Sequence, residues 1–134
     1  MAADNFTATL NLQYTPPGAP ANSGVAALPV QGTYNAGQSG TIDVPTTAQV
    51  GDSFAVPFGS VQAAKLVVLK NNLSSEIAVK VNGASAVSFN IPPGGEFMFS
   101  IPTAPGANPF AALSFALTAA PTLVERISYF VFGD

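Results

Sequence analysis

Cysteine, histidine and tryptophan are absent from this chain, and charge is scarce. Without cysteine no disulfide can staple the fold and no thiolate can hold a metal. Without histidine the commonest general base and the commonest transition-metal ligand are gone. Only 8% of the 134 residues are charged, against roughly 25% in an ordinary soluble domain. The cations are Lys65, Lys70, Lys80 and Arg126, scattered among seven acids for a net charge of −3. Nucleic-acid binding rests on clustered Lys and Arg that neutralise phosphates. Direct binding to nucleic acid is therefore not expected, and neither is docking to anionic lipid.

Long unbroken apolar runs are also missing. Phe97 to Val124 carries no charge, but Pro102, Pro105, Gly106, Pro109 and Pro121 interrupt it. A spanning helix needs about 20 mostly apolar residues in one helix, so no membrane span is expected. Met1 to Phe6 has no basic region followed by an apolar run, and no secretory signal is expected there.

What the chain does have is 48% hydrophobic residues, with ten Phe, three Tyr, 12 Gly and 12 Pro. A free monomer usually keeps itself soluble with a mixed charged surface. A chain this poor in charge is expected to cover much of its surface against other copies or another protein.

The dominant pattern is short alternating runs divided by Pro, Gly, Asn and Ser, the signature of an all-β domain. Phe6, Ala8, Leu10, Leu12 and Tyr14 alternate with Thr7, Thr9, Asn11 and Gln13. Residues 1–14 are thus expected to form an N-terminal strand or arm. Residues 15–40 are turn-rich and read as an irregular loop or arm, with room for one short strand over Val25 to Tyr34.

Residues 41–134 are expected to form the main sandwich. Strands are predicted over Thr41 to Val44, Ser53 to Phe58 and Lys65 to Asn71, the last a central strand covered on both faces. A hairpin series follows. Ile77, Val79 and Val81 lead into an Asn82-Gly83 turn, a pair that tolerates positive φ. Val87, Phe89 and Ile91 lead into Pro92-Pro93-Gly94-Gly95, and Phe97, Phe99 and Ile101 follow. Leu113, Phe115 and Leu117 mark another strand, and Leu123 to Phe132 a long last one. Eight to ten antiparallel strands in one domain of this length predict a β-sandwich of jelly-roll type.

The usual catalytic constellations find no footing. Hydrolytic triads need a base beside the nucleophile. Lys65, Lys70 and Lys80 lie at strand ends or on polar faces, outside any Ser-x-x-Lys arrangement, and read as solvated cations. Asp43, Asp52, Glu76, Glu96 and Glu125 read as ordinary surface or turn acids and not as a glycosidase pair. No two lie within one short calcium loop. Gly37-Gln38-Ser39-Gly40 and Gly94-Gly95 lack the Lys and Ser/Thr of a phosphate loop. No enzyme activity, cofactor or metal is expected.

Candidate contact residues are Phe6, Leu10, Leu12, Tyr14 and Tyr34 in the N-terminal third, with Phe54, Phe58 and Phe110 near prolines at strand ends. Phe89, Phe97, Phe99 and Phe115 sit on apolar alternations and are expected in the core.

Four segments carry a resemblance. They are Leu66-Val67-Val68-Leu69-Lys70-Asn71-Asn72, Val79-Lys80-Val81-Asn82-Gly83, Phe89-Asn90-Ile91-Pro92-Pro93-Gly94-Gly95-Glu96-Phe97-Met98-Phe99, and Ile127 to Asp134. Their order resembles that of small β-sandwich virion proteins of tailed bacteriophages: a strand ending in an Asn-rich turn, a hairpin, a Pro-Gly-Glu-like turn and a closing strand. The turn here has one additional Gly. The resemblance covers residues 65–134 and implies a capsid decoration (cement) protein on the outside of an icosahedral head. It further implies the major capsid protein or other virion subunits as partners, a dimer or trimer of the chain, and a place on the virion. The alternatives are another coat, head–tail or tail accessory component, or a carbohydrate-binding module using Tyr or Phe on an open face.

Overall fold

The computed structural model describes residues 3–134, and all of its regular structure is β. Ten strands occur in chain order: β1 (Asp4–Tyr14), β2 (Gly24–Tyr34), β3 (Ala36–Val44), β4 (Ser53–Ala55), β5 (Ala64–Asn71), β6 (Ile77–Val81), β7 (Phe89–Ile91), β8 (Glu96–Ser100), β9 (Leu113–Leu117) and β10 (Glu125–Gly133). They form a two-stranded sheet β1-β2 and two four-stranded sheets, β3-β10-β5-β8 and β4-β9-β6-β7. Every pairing is antiparallel.

The two larger sheets share one core. Val67, Leu69, Ile127, Tyr129 and Val131 of the first sheet and Ile77, Val79, Leu113, Phe115 and Leu117 of the second belong to a single buried cluster. The alternation within each strand explains the split. In β10 the buried residues are Ile127, Tyr129, Val131 and Gly133, while Arg126, Ser128, Phe130 and Phe132 point the other way. Residues of period two line one face of a pleated strand.

After β3, every connection except β6–β7 carries the chain from one four-stranded sheet to the other. This corrects the expected run of hairpins. The Pro92-Pro93-Gly94-Gly95 turn forms as expected, with Gly94 at φ 74° and Gly95 N–H donating to Pro92 O. It links β7 and β8 across the sandwich, because β8 pairs with β5 and β7 with β6. Asn82 and Gly83 both have positive φ, 52° and 68°. Here they open a longer loop, and the Asn82 side chain spans to the strand-9 approach, donating to Pro109 O and accepting from Ala111 and Ala112 N–H.

Two further expectations change. Residues 15–40 are mostly strand: β2 and the first half of β3 occupy them, joined at a one-residue bend at Asn35. Lys65 is not a solvated cation. It is buried, paired with Asp134, and it donates to Thr33 O at 2.9 Å.

Candidate functional site

The feature that stands apart from the sandwich is the β1–β2 ribbon. Its eleven residue pairs run from Asp4↔Tyr34 to Tyr14↔Gly24 without a register shift, a length of about 36 Å at roughly 3.3 Å per residue. Met1 and Ala2 of the expected 1–14 strand or arm lie outside the described residues. Residues 15–23 close the tip with their own hydrogen bonds: Ala19 N–H to Pro16 O, Ser23 N–H to Pro20 O, and Asn22 N–H to Thr15 Oγ1. Strand β1 is therefore not free to join a neighbour's sheet through both edges, since β2 occupies one of them throughout.

Directly opposed residues in an antiparallel pair share a face. The register thus places Phe6, Ala8, Leu10, Leu12 and Tyr14 on the same face as Gly24, Ala26, Leu28, Val30 and Gly32. From Phe6 to the tip that face is wholly apolar apart from the Tyr14 hydroxyl, and the pair Asp4↔Tyr34 ends it at the root. The reverse face carries Asn5, Thr7, Thr9, Asn11 and Gln13 from β1, set against Thr33, Gln31, Pro29, Ala27 and Val25 from β2, and is therefore mixed. No Asp, Glu, Lys or Arg occurs between Asn5 and Ile42.

The apolar face divides into two halves. At the base, Phe6 and Ala8 are buried against Leu66, with Tyr34, Val68 and Phe132 packed beside them. The Tyr34 ring meets Phe132 edge-on at 4.9 Å. Leu66, Val68 and Phe132 lie on the outer face of the β3-β10-β5-β8 sheet, so the ribbon root covers that face. Towards the tip the cover ends. Leu10, Leu12, Tyr14 and Leu28 are 50%, 54%, 48% and 63% exposed. Beside Leu10 a cleft of ≈640 Å³ opens between the ribbon and the sheet, lined by Thr9, Leu10, Asn11, Val68, Glu96 and Met98.

Cross-strand aromatic–glycine pairs hold the ribbon's two ends. A Cβ at Gly24 would lie 2.5 Å from the Tyr14 ring, and one at Gly32 would lie 2.8 Å from the Phe6 ring. Each ring therefore occupies the space beside a glycine of the facing strand that a side chain would otherwise fill, and shields backbone that has no side chain of its own. The root is fastened by polar groups as well. Asn35 N–H donates to Gly133 O, Asn35 Nδ2 donates to Asp134 Oδ1 at 3.0 Å, and Lys65 ties Thr33 to Asp134.

Comparison with family models, with curated proteins and with solved structures finds no match. The chemistry of the surface must carry the reading.

Of the eight predicted contact residues, the ribbon brings Leu10, Leu12 and Tyr14 together at an exposed surface. Phe6 and Tyr34 lie at its root and serve to attach it. Phe58 and Phe110 are a correction: both are buried in the sandwich core and stack at 6.1 Å. Phe54 is half-buried and stacks on Phe115 at 5.3 Å. Pro57 and Pro109 keep Phe58 and Phe110 outside the strands, but the chain still folds these rings inward because each finds another ring to cover it. Sequence reasoning missed Leu28, Ala26 and Val30, the β2 half of the apolar face. Their signal is blurred because Val25, Ala27 and Pro29 make the opposite phase of β2 apolar too.

The acids that a catalytic reading would need are engaged in ordinary contacts. Asp43 accepts from Arg126 Nε and Glu96 from Lys70 Nζ. Asp52 accepts from Gln49 N–H, Glu76 from Asn90 Nδ2 and Glu125 from Ser74 N–H. Among the described residues no three potential ligands converge on a metal-sized space.

Proposed function

We propose that the chain is a non-enzymatic structural subunit of a virion, a decoration or cement protein that binds the outside of an icosahedral head and reinforces contacts between capsomers. The observation that carries this reading is the ribbon: a regular element, uncharged beyond Asp4 at its root, with one wholly apolar face from Phe6 to the tip, rooted in a sandwich and open along its outer half. Such an element gains free energy only when another surface covers it. Each exposed leucine contributes about 1.5–3 kcal/mol on full burial, scaled down here because each is already half covered. The binding site is thus a surface and not a pocket, and the partners are other virion subunits, the major capsid protein first.

The strand orders β3-β10-β5-β8 and β4-β9-β6-β7 support a jelly roll. Eight antiparallel strands divide evenly between two sheets, nearly every connection crosses between them, and the first and last sandwich strands are neighbours. Jelly rolls build viral capsid and lectin domains. That is an analogy of fold and sets no function by itself. The carbohydrate-binding alternative needs an open aromatic platform. Tyr129 is buried and Tyr34 is packed on Phe6 and Phe132, while the two half-exposed aromatics, Tyr14 and Phe130, lie on separate elements, the ribbon tip and β10, so the ribbon favours the assembly reading.

The test is fractionation of lysates from the producing cells on a density gradient. The chain is expected to co-sediment with particles of megadalton mass and to bind antibody at their outer surface. Recovery only in slowly sedimenting fractions would overturn the proposal.

A further inference from the structure

We infer that the outer half of the ribbon is a homotypic clasp: the apolar face of one copy packs against the same face of a second copy about a two-fold axis. The inference rests on reading the ribbon as an assembly element, and it names the occupant.

Three observations select a second copy. The first is area. The chain exposes 7616 Å², whereas a compact monomer of 13.6 kDa exposes about 6,600 Å². The excess of roughly 1,000 Å², taken over the whole chain, is of the same order as the ~800 Å² that each partner gives to a standard stable interface. A ribbon held away from its own sandwich is where such surface arises.

The second is charge. A two-fold contact is isologous, so each patch must be complementary to itself. Residues near the axis then face their own kind, and any charge there meets a like charge. Asn5 to Ile42 holds none, although 11 charged residues are present in the chain as a whole. A leucine row needs only another leucine row.

The third is the state of the edges. A ribbon can recruit a partner through a strand edge or through a face. Pro29 lies in the middle of β2 opposite Thr9. Proline cannot donate to a ladder and is a device that blunts edge strands against further pairing. Along the β1 side the sandwich's own Val68, Glu96 and Met98 stand across the cleft from Thr9, Leu10 and Asn11, so a strand added there would have to fit between ribbon and sheet. Of the two faces, the reverse one interleaves Thr9, Asn11 and Gln13 with Pro29, Ala27 and Val25, so the wholly apolar face of Leu12, Ala26 and Leu28, with Leu10 at its margin beside the cleft, is left as the surface for docking. Leu12↔Ala26 is the middle row of its open part, and the axis passes nearest that row.

The test is sedimentation equilibrium of the purified full chain, with two variants. Wild type is expected to sediment at twice the monomer mass of 13.6 kDa. The double variant Leu12→Gln/Leu28→Gln replaces exposed side chains only. It is expected to keep the near-UV spectrum and melting behaviour of the folded sandwich while weakening the dimer at least about tenfold. Leu12→Cys supplies the chain's one thiol and is expected to give disulfide-linked dimers under mild oxidation, whereas Val50→Cys, exposed in the β3–β4 loop, stays monomeric on a denaturing gel. A wild-type monomer at high micromolar concentration would overturn the clasp. So would an oligomer indifferent to the double variant, or a double variant that loses only particle binding, which would assign the ribbon to a different protein. A monomer that still co-sediments with particles would remove the clasp and keep the shell reading. A dimer found in no particle would do the reverse.

Discussion

The Lys65 ammonium lies 2.6 Å from the Asp134 carboxylate, with the lysine side chain 7% exposed and the aspartate 43%. The same ammonium donates to Thr33 O at the root of the ribbon. One buried cation therefore joins strand β5, the last residue of the sequence and the base of the projecting element. The asymmetry of burial decides which partner matters more. Removing the charge from Asp134 leaves a cation in the interior without its counter-ion, whereas removing Lys65 leaves an acid that water reaches.

Asp134→Asn is accordingly expected to destabilise the fold by about 1–3 kcal/mol, below the 3–5 kcal/mol of a fully buried pair because water screens the aspartate. Lys65→Met, which keeps the length of the apolar stem, is expected to cost less. Urea unfolding of both variants checks the order. A larger loss for Lys65→Met would show that the hydrogen bond to Thr33, and not the ion pair, holds the root.

Phe115 is fully buried between the sheets and stacks on Phe54 at 5.3 Å. Phe115→Ala is expected to cost about 3–5 kcal/mol. Leu12→Ala, on the open half of the ribbon, is expected to stay within about 0.5 kcal/mol for the monomer. Chemical denaturation at low protein concentration, where association does not contribute, makes the comparison. Equal losses would contradict the division between core and open ribbon.

Two glycines separate rigid from yielding surroundings. A Cβ at Gly133 would meet backbone, 2.2 Å from Ala63 O and 2.8 Å from Ala64 Cα. At Gly24 it would meet only the exposed Tyr14 ring. Backbone paired in a sheet cannot retreat, but a ring can turn. Gly133→Ala is expected to cost about 1–3 kcal/mol or more, and Gly24→Ala much less. Thermal melts of the two variants should rank them in that order, and the reverse ranking would contradict the packing of Gly133 against Ala63 and Ala64.

Asn71 is a buried polar residue with every group in use. Its Nδ2 donates to Ser75 O and Ile91 O at 2.9 Å each, and its Oδ1 accepts from Leu73 N–H at 2.9 Å. Asn71→Leu fills similar space but strands these backbone groups, at about 1–3 kcal/mol for each one left unsatisfied. A loss of at least about 3 kcal/mol in urea unfolding is expected. A near-neutral result would mean that the loop re-forms its hydrogen bonds without the side chain.

How much of this was legible in the chain differs from segment to segment. The alternation of Phe6 to Tyr14 predicts β1, and the run from Lys65 to Asn71 predicts β5 as a central strand, which it is, between β10 and β8. Strand β2 was legible only as a short element, because apolar residues fall on both of its faces and the period fades. Half of the ribbon's apolar face was readable as Leu10, Leu12 and Tyr14. The other half, Ala26, Leu28 and Val30, needed the register with β1. Phe58 and Phe110 read as contact residues because prolines flank them, and only their mutual stacking shows that they are core.

The amino-acid order alone determined the all-β class, the position of nearly every strand in the second half, and the absence of cysteine, histidine and charge clusters. These are local properties: side-chain alternation follows from the pleat of a single strand, and chemistry follows from which groups are present. Tertiary structure alone decided which strands are partners, that Pro92 to Gly95 crosses the sandwich instead of closing a hairpin, that Lys65 is buried, and that the first two strands leave the body as a ribbon. Those outcomes depend on contacts between residues far apart in the chain, where burial is won or lost by the whole fold, and no window of local sequence contains both sides of such a contact.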